Sequence, residues 1–279
     1  MSHSFIVIDG AWGTELQARG LAAGECPDRW NLTHPEAVRA VAVAYADAGS
    51  RIVLTNTFRA NRIALAGYGL ADDVAALNRA GVELSRAGAA GRAKVFASIG
   101  PSGKMLAAGD VTEDELRSAF LEQAHALAAA GADALVIETM SDVREAEIAV
   151  AAARSTGLTI VASMVYDSGR NKDRTMTGVT PEQAAARLTA AGADIIGANC
   201  GCGIEGYVAI AARLRAATDR PIWIKPNAGL PEMVEGRVTY RVTPEQFAAH
   251  ARKLEGVTYV GGCCGTDPRF IRALVASCG

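Results

Sequence analysis

No stretch of this 279-residue chain comes near the ~18 consecutive apolar residues of a membrane-crossing helix, although half its residues are hydrophobic. The opening, Met1 to Asp9, has neither a basic start nor a long apolar core, which argues against a secretory leader. Basic residues (28) nearly balance acidic ones (30), and a formal charge of −2 provides no field to attract nucleic acid or an anionic membrane. No linker or shift in composition divides the chain. Histidine is scarce: His3, His34, His125 and His250 are the only four, and none ends an apolar run. That scarcity removes the His-and-carboxylate cradle usual for a water-activating metal. The six cysteines, two of them adjacent, do not read as a disulfide framework in a chain this long and fit a reducing cytoplasm.

What is present is an alternation of short β-rich runs with longer alanine-rich amphipathic segments, the pattern of a parallel sheet covered by helices. Candidate strands are Phe5–Ile8, Ile52–Thr55, Val95–Ile99, Ala134–Glu138, Thr159–Met164, Ile195–Asn199, Ile222–Lys225 and Val257–Val260. Helices are expected over Pro35–Ala48, Glu113–Ala130, Val143–Thr156, Pro181–Ala191, Tyr207–Thr218 and Pro244–Leu254. Thr112 with Glu115, Thr180 with Gln183 and Thr243 with Gln246 each have capping-box spacing. The phrase Ala-Gly-Ala-Asp precedes an apolar run at 130–133 and again at 191–194, as a helix-ending glycine followed by strand entry would. Eight such units favour a single-domain α/β fold, a (β/α)8 TIM barrel spanning 1–279, over an open doubly wound sheet. The irregular stretch from Pro226 to Val242 is expected to make a hairpin excursion around Glu235-Gly236.

Nearly every candidate strand ends in a polar or glycine-rich cluster, and in a parallel barrel those ends share one face. Cys200 follows the sixth run, and the vicinal pair Cys263-Cys264 follows the eighth. Vicinal cysteines bridge each other poorly, but flanking glycines allow a turn that offers both sulfurs to one ion. Three thiolates suit zinc and leave one corner open. A thiol in that corner would lose its proton near neutral pH, so alkyl transfer to sulfur is the natural chemistry, with no catalytic side chain needed beyond the metal site. The competing reading makes the cysteines small buried apolar residues; Cys202 is the alternative ligand to Cys200. For Asp9 and Glu138 the competing reading is helix caps or surface charges, and for Thr55 a satisfied hydroxyl at a strand end. Glu15 reads as a support for Asp9 or a solvated charge, and Gly100-Pro101-Ser102-Gly103, which lacks a P-loop ending, as a turn in the substrate wall.

Gly197-Ala198-Asn199-Cys200 and Gly261-Gly262-Cys263-Cys264, with Asp9 to Leu16, Thr55-Asn56-Thr57-Phe58 and Glu138-Thr139, resemble the homocysteine S-methyltransferase family nearly end to end. The resemblance implies a TIM barrel holding one Zn2+ through Cys200, Cys263 and Cys264. It also implies homocysteine bound with Asp9 and Glu138 toward its ammonium and with the Gly10 backbone and Thr55 near its carboxylate. Asn199 is counted among the substrate contacts. Pro226-Asn227-Ala228-Gly229 and Gly262 to Thr266 look like the branch formed by the homocysteine domain of cobalamin-dependent methionine synthase. The implied partners are homocysteine and a small methyl donor, or a methylated corrinoid on a separate protein. Arg59, where the betaine-using branch carries an aromatic residue, argues against a cage for a quaternary ammonium. S-methylmethionine or dimethylsulfonium donors, and a corrinoid-linked demethylation role, stay open.

Overall fold

The computed structural model describes residues 5–234 and 237–278, with the side chains of Cys202, Val234 and Arg237 outside the description. The strands are β1 (Ile6–Val7), β2 (Ile52–Val53), β3 (Lys94–Ile99), β4 (Ala134–Met140), β5 (Thr159–Met164), β6 (Ile195–Gly203), β7 (Ile222–Asn227), β8 (Glu232–Val234), β9 (Arg237–Thr239) and β10 (Tyr259–Val260). Eight of them form one parallel sheet in the order β1-β10-β7-β6-β5-β4-β3-β2. A parallel bridge between Ile8 and Ile52, with Arg51 N donating to Val7 O at 2.8 Å, joins the two ends and makes the sheet a barrel. The expected hairpin exists as the antiparallel pair β8–β9; its Glu235-Gly236 tip lies outside the described residues.

Helices α1 (Gly13–Ala18), α2 (Trp30–Thr33), α3 (Pro35–Asp47), α4 (Arg62–Ala66), α5 (Val74–Ala89), α6 (Glu113–Ala129), α7 (Val143–Arg154), α8 (Pro181–Ala191), α9 (Ile204–Ala217), α10 (Pro244–Ala251) and α11 (Pro268–Ser277) surround it. None is long and apolar enough to cross a membrane. All three expected capping boxes form, on α6, α8 and α10. The repeated Ala-Gly-Ala-Asp joint is explained by two contacts. Gly131 and Gly192 take left-handed φ of 88° and 105°. The following aspartates then turn back on the neighbouring strand: Asp133 Oδ2 accepts from Val95 N at 2.7 Å and Asp194 Oδ2 from Ile160 N at 2.9 Å.

Two cores separate the barrel's layers. Between strands and helices lies the larger one, with Leu135, Ile137, Ile160, Ile196 and Ile224 among its members. Inside the barrel, Ile8, Leu54, Phe96, Val136, Val161, Ile195 and Trp223 form a second. Because strand side chains alternate, the residues two places beyond several of these also face inward, and they are polar. Ser98 follows Phe96, Glu138 follows Val136, Ser163 follows Val161, and Lys225 follows Trp223. An apolar plug thus supports a polar layer at the C-terminal mouth. Gly197 makes room for the plug, since a Cβ there would sit 2.6 Å from Trp223 O.

Candidate active site

Cys200, Cys263 and Cys264 meet at the mouth with their Sγ atoms all within 4.8 Å of one another. Cys200 lies within β6, not after it as the sequence suggests. The strand runs on to Gly203 through an irregularity in register with β7. Cys200 and Gly201 both have left-handed φ, 64° and 56°, and Tyr207 Oη on α9 donates to the Cys200 carbonyl at 2.9 Å. A non-glycine residue held at positive φ costs energy that surrounding contacts must offset. Here the strained turn accompanies a thiol that reaches the two cysteines following the last strand.

The vicinal pair is fixed from β7. Cys263 N donates to Pro226 O at 2.8 Å, Ala228 N to Cys264 O at 2.9 Å, and Thr266 Oγ1 to Cys263 O at 2.7 Å. Gly265, at φ 80°, must be glycine twice over, because a Cβ would collide with the ring of Tyr240. Both other cysteine thiols donate to Cys200, first Cys263 and then Cys264, and this holds Cys200 down at about 3. The same bonds, with burial, push Cys263 up, and Cys264 is pushed up to about 12 chiefly by its bond to Cys200. The three sulfurs thus differ in acidity, with Cys200 held down and its two neighbours pushed up. Three convergent thiols, the metal-ligating cluster found among the described residues, are a donor set for a soft divalent cation such as zinc.

The cluster closes one end of a cavity of about 310 Å³, lined also by Gly10, Trp12, Asp28, Thr55, Arg59, Glu138 and Lys225. Glu138 is 7% exposed. Ser98 Oγ donates to its Oε1 at 2.6 Å, and its Oε2 accepts nothing from the described residues. Burial raises its pKa, partly offset by the Lys225 charge and the Ser98 bond. Lys225 is itself buried, with Nζ 2.5 Å from Asp9 Oδ1. Burial alone would lower Lys225, but the Asp9 and Glu138 charges reverse that and its pKa is raised. Asp28, buried beside the Arg59 backbone, rises to about 6 because of desolvation.

The family model described as homocysteine S-methyltransferase matches residues 6–278. The chain belongs to the homocysteine S-methyltransferase family. It is 31% identical over 295 residues to methionine synthase of Mycobacterium tuberculosis, covering 99% of this chain but 25% of that protein. The chain therefore spans about a quarter of that relative's length. Betaine–homocysteine S-methyltransferase 1 of Danio rerio is 31% identical over 293 residues, covering 96% of this chain and 72% of the other. Among solved structures, the metallated form of the homocysteine methyltransferase MmuM from Escherichia coli superposes with a TM-score of 0.81 at 26% identity. That match covers 98% of this chain and 96% of the MmuM chain.

Within this homocysteine S-methyltransferase-family barrel, the expected site residues fall into two groups. Gly10, Thr55, Glu138 and the three cysteines line the cavity. Gly10 tolerates no Cβ, which would meet Tyr45 Oη at 2.7 Å, and Thr55 Oγ1 is shared with Thr57 Oγ1 and Ser98 N. Asp9 and Asn199 are fully buried with their polar atoms engaged by the protein. Asp9 Oδ2 accepts from Trp12 Nε1 and Leu54 N, each at 2.7 Å. Asn199 Oδ1 accepts from Thr139 N and Ser163 Oγ, and its Nδ2 donates to Thr139 Oγ1. The Cys202 side chain lies outside the described residues. Glu15 pairs with Arg19, not Asp9. The Gly100–Gly103 turn stands behind Phe58 and is not in the cavity wall. Lys225, Ser98 and Tyr207 were not singled out from sequence. The alternation that places Glu138 inward would have placed Lys225 and Ser98 beside it.

Proposed function

We propose that the protein transfers a methyl group to the thiolate of homocysteine, giving methionine. The observation that carries this reading is the convergence of three thiols and one half-satisfied carboxylate on a single cavity. A sulfur-lined end and an acidic wall complement a small amino acid whose side chain ends in a thiol. Cys200, Cys263 and Cys264 would hold Zn2+, which when bound supplies positive charge that favours the substrate thiolate.

The remaining work is positioning. Glu138 Oε2 is available for the α-ammonium, and the Gly10 backbone offers a donor without a side chain in the way. The apolar plug under the polar layer gives the cavity a packed floor against which these polar groups are held. In the transfer itself, a C–S bond forms to the incoming methyl and the donor–methyl bond breaks. The leaving group takes that electron pair, and the thiol proton goes to solvent. No side chain on the wall is required as a general base.

The donor is the open part of the reading. The resemblance of Pro226-Asn227-Ala228-Gly229 and Gly262 to Thr266 to the homocysteine domain of cobalamin-dependent methionine synthase favours a methylated corrinoid presented by another protein or domain. An exposed Arg59 guanidinium at the rim, bonded to Tyr68 Oη at 3.0 Å, disfavours a quaternary ammonium there. The test is a donor panel on the zinc-loaded protein, with methylcobalamin, S-methylmethionine, glycine betaine and a dimethylsulfonium compound, and methionine as the product measured. Methionine from at least one donor, dependent on homocysteine, is the expected result; transfer that persists fully after metal removal would refute the mechanism.

A further inference from the structure

We propose that Lys225 sets the charge of the cavity. By neutralising Asp9 it leaves Glu138 as the single carboxylate that meets a substrate ammonium. This rests on the amino-thiol reading of the cavity and departs from the expectation that Asp9 and Glu138 act together.

Three observations carry it. First, Asp9 has little capacity to spare. It is 0% exposed and holds Lys225 Nζ on one oxygen and Trp12 Nε1 and Leu54 N on the other. Of the roughly four lone-pair directions of a carboxylate, three are taken, and Asp9 is not among the cavity's lining residues. Second, Glu138 has one oxygen tied to Ser98 and the other without a partner among the described residues, and it does line the cavity. Third, Lys225 lines the same cavity from β7. An ammonium brought against Asp9 would have to displace or face a like charge already there. Where Asp9, Lys225 and Glu138 meet, the Asp9–Lys225 pair counts as zero and Glu138 as minus one, so a single α-ammonium balances that part of the wall. Lys225 acts through Asp9 and the cavity potential, so it is a positioning and specificity residue, not a catalytic one.

The experiment is equilibrium binding to the zinc-loaded protein by calorimetry, which requires no methyl donor. The ligands are L-homocysteine and 4-mercaptobutanoate, which has the same thiol and carboxylate but no ammonium. The wild type is expected to prefer homocysteine on the order of 10- to 100-fold, the value of one charge-assisted hydrogen bond. Glu138→Gln should bring that preference to within about 3-fold. Lys225→Met should increase it, since Asp9 regains an uncompensated charge. Asp9→Asn should decrease it, leaving Lys225 unbalanced. The decisive protein is the Asp9→Asn/Lys225→Met double variant, which restores the original count and should restore the wild-type preference. A folded double variant without the preference overturns the proposal, because Asp9 would then have been touching the ammonium. If the double variant does not fold, a Glu138→Gln protein that retains the preference overturns it equally. A wild type that binds neither thiol brings down the underlying amino-thiol reading, a different failure from a wild type that prefers homocysteine while its double variant does not.

Discussion

Replacing Lys225 with methionine tests the physical chemistry under the site without any substrate. The two side chains of the pair are 2% and 0% exposed, and Asp9 keeps two other donors when Lys225 goes. Breaking a buried ion pair by removing one partner costs roughly 3–5 kcal/mol, because the other charge is left without compensation. The surviving bonds from Trp12 and Leu54 place the expected loss near the lower limit, about 3 kcal/mol. Methionine is close to lysine in length and apolar, so a packing defect adds little.

The assay is urea unfolding of the metal-free and zinc-loaded forms, repeated in 1 M salt. A buried pair is hardly screened, so the loss should stay within a few tenths of a kcal/mol between low and high salt. Arg39→Met is the control: Arg39 pairs with Glu36 at 2.6 Å, but their side chains are 44% and 77% exposed, and such pairs contribute little. Asp9→Asn/Lys225→Met should be more stable than the sum of its single changes allows, since the charges leave together. A Lys225→Met protein that loses less than about 1 kcal/mol, or whose loss disappears in salt, would refute the claim of a buried, mutually dependent pair.

Three further outcomes are expected. Cys263→Ala should reduce bound zinc from stoichiometric to near zero by elemental analysis and abolish methionine formation; full metal retention would move the third ligand elsewhere. Asp28 rises from an ordinary 3.8 to about 6 on burial, so its contribution favours the folded state below 3.8 and is lost as pH climbs through about 6. By linkage this costs roughly 3 kcal/mol at neutral pH. Asp28→Asn should therefore be more stable than the wild type at pH 7 by about 2 kcal/mol, after the weakened bond to Arg59 N is discounted, and the two should converge near pH 4. A urea series over that range showing parallel curves would contradict the assignment. Gly265→Ala must hold alanine at φ 80° against the Tyr240 ring; it should lose about 1–3 kcal/mol of stability and bind zinc more weakly in a chelator competition, and unchanged values on both would show that the turn relaxes freely.

Much of the scaffold was legible because its signals are local. The capping boxes at Thr112, Thr180 and Thr243 and the glycine-aspartate joints need only a few residues to declare themselves. The strand runs are equally local, and their polar ends point to one face. α5 is not among the helices expected from sequence, and it carries two glycines, Gly81 and Gly88. In the fold they are required by close packing, with a Cβ at Gly88 only 2.6 Å from Ala42 Cβ. The cysteine site was legible from residue type and glycine context. The Asp9–Lys225 pair was not. The two residues are 216 positions apart, and a lysine ending an apolar run looks like any solvated strand end. Strand alternation turns it inward, and only the sheet order, with β10 between β1 and β7, brings it beside Asp9.

The same sheet order explains how the two ends of the cavity keep their spacing. Glu138 lies on β4 and Cys200 on β6, separated by β5, so nothing in either strand alone fixes one against the other. Asn199 supplies the tie: from the residue before Cys200 it binds both the amide and the hydroxyl of Thr139, the residue after Glu138, and also Ser163 on the strand between. Thr139 sits at φ 60° and Cys200 at 64°, so each functional side chain adjoins a left-handed residue or is one. Two strained backbones joined through one buried amide cannot relax independently. The distance from the acidic wall to the sulfur cluster is thus set by an asparagine that lies outside the cavity wall, and backbone strain at both positions persists because that amide over-determines them.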